Sequence, residues 1–148
     1  MPRSRHKNLK QMQKIYDLEN TYSSDNTTLE GMQIWHDWIL RTKWWRDRSK
    51  IRHVRAVFPI VGKKSGAYRE ESTWARIEYG VFSLCRQTGC HELTHILTWN
   101  EDGDDEEDHD DTFAGMYLAV CRRFISASWA DKMQKDFDEV GIKYKYYD

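Results

Sequence analysis

Nine of the eleven residues from 101 to 111 (EDGDDEEDHDD) are Asp or Glu, and no packed element absorbs such a run. Carboxylates at that density repel one another and stay hydrated, so the plainer reading of the segment is a solvated connection. It divides two helical patterns. Before it, Phe82, Cys85, Gly89, Leu93, Ile96 and Asn100 recur at helical intervals, predicting a helix over about 81–99 with one buried face. After it, Phe113, Met116, Tyr117, Val120, Cys121, Phe124 and Ile125 repeat at three and four, predicting another over about 110–127. The run is not a calcium loop of the D-x-[DN]-x-[DN]-G kind, because Gly103 comes too early and no suitably placed Glu follows.

Upstream, Leu9, Met12, Tyr16 and Glu19 follow helical spacing, with Ile15 and Leu18 beside them, which predicts a helix over about 9–22. SSDNTT is turn material, and Thr28 is a candidate N-cap for a helix to about residue 44. Met32, Trp35, Trp38, Ile39 and Thr42 would line one face of that helix. VRAVFPIVG (54–62) reads as a strand that Pro59 pushes toward a sheet edge. GKKSGAY is a turn, and 68–79 has room for one or two short strands. The tail KDFDEVGIKYKYYD adds a short helical or extended piece. The expected class is α+β: a small, partly antiparallel sheet packed against helix 81–99, with further helices at both ends. With no repeat or linker in 148 residues, one domain over 1–148 is expected, with 1–8 flexible.

Within the first of the two helices the sequence reads HELTH, residues 91–95. Residues four apart on an α-helix differ by about 40° in azimuth, so His91 and His95 project side by side and two imidazoles can meet one ion. Glu92 is turned about 100° from His91, which suits a carboxylate that touches a nearby water without entering the coordination shell. This is the arrangement of H-E-x-x-H zinc hydrolases, in which the glutamate is the general base. A tetrahedral site with one open position needs a third protein ligand. His109, opening the second helix, leads; Asp108, Asp110 and Asp111 are alternatives, since zinc also accepts carboxylates. Imidazole donors favour Zn2+ over harder cations. The acidic run beside these residues would strengthen cation binding and favour basic substrates.

Composition narrows the function classes. A formal net charge of −1 gives no global attraction to nucleic acid or membrane. The basic start lacks an apolar stretch after it, so no secretory signal is expected, and no segment approaches the roughly 20 apolar residues of a membrane span. Three cysteines, an odd number in no paired pattern, favour a reducing compartment, the cytoplasm. The stretch 41–55 carries seven Lys/Arg with Trp44 and Trp45, so it offers phosphate contacts and base stacking to a nucleic acid. The plainer reading places those tryptophans in the core and the charges in water. For a hydrolytic site, Tyr144, Tyr146, Tyr147 and His53 are available to steady an oxyanion, and nothing in the sequence chooses among them.

QKIYDLEN, a helix ending in TKWWRDR, and HELTHIL followed by HDDTFAGMYLAVCRRFI together resemble a zinc metallohydrolase family of actinobacteria and their phages. The likeness covers about residues 11–140. More distantly the chain is similar to the SprT-like minimal zincins. The resemblance implies a zincin-like fold, zinc held by His91, His95 and His109, and Glu92 as the catalytic base. It further implies a small intracellular metallopeptidase acting on a protein or peptide, in the host cytoplasm if phage-encoded. The family's usual HGPEF appears here as His109-Asp110-Asp111-Thr112-Phe113, without its glycine-proline turn. Two other readings stand beside this one: a DNA-associated SprT-like protease using 41–55, and a non-catalytic zinc-stabilised binding module.

Overall fold

The computed structural model describes residues 9–22, 26–59, 64–99 and 109–147. The acidic segment 101–108 and the N-terminal residues 1–8, expected to be flexible, lie outside these. In order, the elements are α1 (Leu9–Glu19), α2 (Leu29–Leu40), α3 (Lys43–Arg46), β1 (His53–Val57), β2 (Gly66–Glu71), β3 (Trp74–Glu78), α4 (Arg86–Thr98), α5 (Asp111–Phe124) and α6 (Ala127–Val140). The class is α+β. Two compact units are present: Ser24–Leu97, and Met1–Ser23 together with Thr98–Asp148. No helix among the described residues is long and apolar enough to cross a membrane.

In the unit Ser24–Leu97, Thr28 caps α2 as expected, its hydroxyl accepting from the Gly31 amide at 2.9 Å. The helix stops at Leu40 rather than near 44. Thr42 turns outward into extended backbone and caps a separate short helix, accepting from the Trp45 amide. The inward face of α2 is also rotated from the expected one. Trp38 is half-exposed, and His36 takes an interior place with Met32, Trp35 and Ile39.

The sheet has the order β1-β3-β2, with β1 parallel and β2 antiparallel to β3. Val54 and Ala56 on β1, in register with Ala75 and Ile77 on β3, put small and branched residues on one buried face. Strand β1 is an edge, as Pro59 suggested, and it ends at Val57. Its outer edge is closed by a side chain: Gln33 of α2 donates to the Val54 carbonyl and accepts from the Ala56 amide, both at 2.8 Å. One amide thus does what a neighbouring strand would, and the edge is blunted against pairing.

The sheet packs against α4, which begins at Arg86 and not at 81, because Val81 and Phe82 form an exposed turn. Cys85, Gly89, Leu93 and Ile96 face inward as their spacing required. Gly89 is where α4 comes closest to its support. A Cβ there would lie 2.5 Å from the Trp35 ring, 2.9 Å from the Tyr79 hydroxyl and 3.0 Å from the end of Met32. Any side chain at 89 would push α4 off this base.

In the other unit, α5 buries Phe113, Tyr117, Val120, Cys121 and Phe124 of its expected stripe, while Met116 and Ile125 are only partly buried and the helix ends at Phe124 rather than near 127. Helix α1 turns a narrower face inward than expected: Ile15 is fully buried, while Leu9 is half-exposed and Tyr16 is partly exposed. Glu19 accepts from the Tyr117 hydroxyl at 2.6 Å, so its place on that stripe is polar. Helix α6 is longer than the short tail element expected. Ser126 caps it, and only Ala130, Met133 and Phe137 are buried along its 14 residues. Charged residues between these anchors weaken the periodic pattern. Gly115 of α5 has no side chain at the point where the Lys145 backbone crosses the helix.

Candidate metal centre

Helix α4 is unusual for what it buries. Besides its apolar face, Gln87, His91, Glu92 and Thr94 are all shielded from solvent. Taking imidazole and carboxylate groups out of water is costly unless something compensates, and a bound cation is one such compensation. Thr94 is accounted for locally, since its hydroxyl donates to the Cys90 carbonyl one turn back at 2.6 Å.

His91 and His95 project from adjacent turns as their spacing dictates. Their ring centroids lie 5.0 Å apart and their Nε2 atoms 3.2 Å apart. Two ligands of a tetrahedral zinc, at about 2.0–2.1 Å from the ion, are separated by roughly 3.3 Å. The helix pair therefore already has the spacing of two nitrogens on one ion. His91 is 5% exposed and His95 more so, which leaves the His95 side the more open to solvent.

His109 comes from the turn that opens α5. It is 1% exposed and has a φ of 57°, the one positive φ at a non-glycine among the described residues. That left-handed position is one that histidine adopts more readily than most side chains, at some conformational cost. The ring lies against Phe113 with centroids 4.6 Å apart, and Tyr16 of α1 meets it edge-on at 5.2 Å. Asp110, next along the chain, caps α5: its carboxylate accepts from the Phe113 amide at 2.8 Å. One ligand atom each from His91, His95 and His109 lie within 4.8 Å of one another. Three imidazoles so placed, all nitrogen donors, fit a zinc-type cation.

Glu92, one residue along from His91, is 6% exposed. Beneath α4, on the side of Gly89, sits a polar pair that the sequence did not point to. The Tyr79 hydroxyl and His36 Nε2 are 2.6 Å apart, and His36 Nδ1 lies 3.3 Å from the Val54 carbonyl. A carbonyl only accepts, so the Nδ1 carries the proton and Tyr79 donates to Nε2. Burial pushes the His36 imidazole down to about 4, against a smaller opposing effect of the Val54 bond. Burial first, then the Glu92 carboxylate, holds the Tyr79 phenol well above its ordinary range. No spacing rule would have found this pair, because His36 and Tyr79 are 43 residues apart.

Trp45 is fully buried and its indole donates to the Ile51 carbonyl at 2.8 Å; Trp44 is also buried, with the Arg48 guanidinium 4.1 Å over its ring. Both belong to the core, and the charged residues around them face water, as the plainer reading of 41–55 had it. The Tyr144 hydroxyl donates to Asp138, the Tyr146 hydroxyl accepts from Gln134, and His53 is exposed on β1. The three cysteines are buried thiols. Asp108 lies outside the described residues. Compared with known protein families, curated proteins and solved structures, the chain matches none.

Proposed function

We propose that this chain is a zinc-dependent metallohydrolase, a peptidase by class, in which His91, His95 and His109 hold the ion and Glu92 is the general base. The observation that carries this reading is the convergence of the three histidines' ligand atoms within 4.8 Å, with a buried glutamate on the same turn of α4. Zinc in an all-imidazole set supplies a Lewis acid that makes water nucleophilic near neutral pH and polarises a carbonyl. Around it the protein's own groups do the rest. Glu92 is set off from His91 by about 100° of helix, so its carboxylate would face a water beside the histidines, take that water's proton and return it to the leaving amine. The more open His95 side is where a substrate carbonyl would arrive.

Support for peptide bonds over other acyl substrates comes from the resemblance to the actinobacterial and phage metallohydrolases and the SprT-like zincins, a weaker warrant than the donor set. The same resemblance supports action in the cytoplasm of a host cell. The test is Glu92→Gln in zinc-loaded protein, assayed on a peptide library. The variant is expected to keep its zinc and lose turnover by about 100-fold or more, the scale of general-base catalysis. Retained zinc with no turnover in the unaltered protein would instead make it a zinc-stabilised binding module, and unchanged turnover in the variant would remove Glu92 as the base.

A further inference from the structure

His91 and His95 are placed by a helix, but His109 stands on a single left-handed residue, and something has to hold that residue where it is. Asp110 fixes the chain after it by capping α5. The other hold comes from α1. The Gln11 side chain donates from Nε2 to the His109 carbonyl at 3.2 Å and to the Lys143 carbonyl at 3.1 Å, while its Oε1 accepts from the Lys143 amide at 3.1 Å. A primary amide has two N–H donors and one carbonyl oxygen, so this side chain uses its full donor capacity in one clasp. The extended tail it grips is itself fastened: the Lys145 amide donates to the Asp111 carbonyl at 3.0 Å, in the first turn of α5. Five residues beyond Gln11 on α1, Tyr16 meets the His109 ring edge-on. One helix therefore holds the backbone of this residue through Gln11 and its ring through Tyr16.

We infer that Gln11, bridged to the C-terminal tail at Lys143, is the positioning residue that holds His109 as the third metal ligand and so sets the affinity of the centre. The inference rests on the metal-centre reading above. Gln11 touches neither ion nor substrate; it acts by fixing the carbonyl of a residue whose backbone would otherwise relax out of the left-handed region and swing the imidazole away. Only an amide of this length serves. Glutamate keeps the reach but loses both donors, and alanine loses the clasp altogether.

The experiment measures zinc affinity by competition with a chromophoric chelator, and the absorption of the cobalt-substituted protein, for Gln11→Glu and Gln11→Ala. Both variants are also made in a His109→Ala background, and the thermal midpoint of each metal-free protein is recorded. Zinc binding is expected to weaken roughly tenfold in both single variants, the lower end of what outer-shell partners of metal ligands contribute. The cobalt bands should change, and the effect on zinc should shrink to under about twofold once His109 is gone, since coupled residues are non-additive. Unchanged zinc affinity in both single variants would overturn the inference. So would an equal weakening in the His109→Ala background, which would mean that Gln11 only stabilises the fold. Absence of zinc binding by the unaltered protein would bring down the metal-centre reading itself, a different and recognisable result.

Discussion

Two regions of this molecule present imidazoles by different means. In α4, His91 and His95 owe their spacing to helix geometry alone, and the helix is seated by close contact of Gly89 with Trp35, Met32 and Tyr79. At the start of α5, His109 owes its place to a turn: a positive φ, a capping aspartate, a glutamine clasp and two aromatic neighbours. A helix fixes two imidazoles with one set of backbone hydrogen bonds. A turn fixes one imidazole with several separate side chains, each of which can fail alone. The first arrangement concentrates its sensitivity in the histidines and the seat at Gly89, and the second spreads its sensitivity over residues far apart in sequence.

The largest expected effect is loss of a ligand. With the ion held as proposed, His109→Ala would leave the helix pair a residual hold on zinc, whereas His95→Ala would leave no pair on α4. Both should weaken zinc by more than about 100-fold, since outer-shell partners alone are worth roughly 10–100-fold. Equilibrium dialysis should rank retention as unaltered protein, then His109→Ala, then His95→Ala; the reverse order of the two variants would break the comparison.

Next in size is a pH effect at the base of α4. His36 is neutral in the folded protein, with its imidazole pushed down to about 4, and takes up a proton near 6.5 when unfolded. The unfolded chain therefore binds more protons between these values. Stability from this residue is complete above pH 6.5 and is lost as pH falls toward 4, by about 3 kcal/mol in all. Urea unfolding of the metal-free protein across this window, compared with His36→Gln, should show a flatter dependence in the variant. Matching slopes would mean that burial of His36 costs nothing.

The smallest effect belongs to the turn. Asp110→Ala removes the cap of α5 and should lower the stability of the metal-free protein by about 1 kcal/mol, read from the urea midpoint. A loss well above this would show that Asp110 does more than cap.

This contrast also marks what could be read without coordinates. The HELTH pair was legible because period 3.6 converts spacing directly into azimuth, and Thr28 as a cap was legible because hydroxyls before an apolar stripe have few other uses. The α5 stripe was legible for the same periodic reason. Where neighbours in space decide, the sequence was mute. It did not show that Thr42 would split the second helix into α2 and α3, that Gln33 would close the edge of β1, or that His36 and not Trp38 would turn inward. Helix α6 was underestimated because three buried anchors among charged residues make a faint pattern. His109 could be nominated from its position before a helix, but Gln11 and Tyr16, about a hundred residues upstream, carry no local mark of their roles.

The most direct measurement is zinc K-edge X-ray absorption on the protein reconstituted with one equivalent of zinc. The account predicts a four-coordinate ion whose first shell contains three imidazole nitrogens at about 2.0–2.1 Å, falling to two in His109→Ala. A shell of two imidazoles in the unaltered protein, or no change on removing His109, would contradict it.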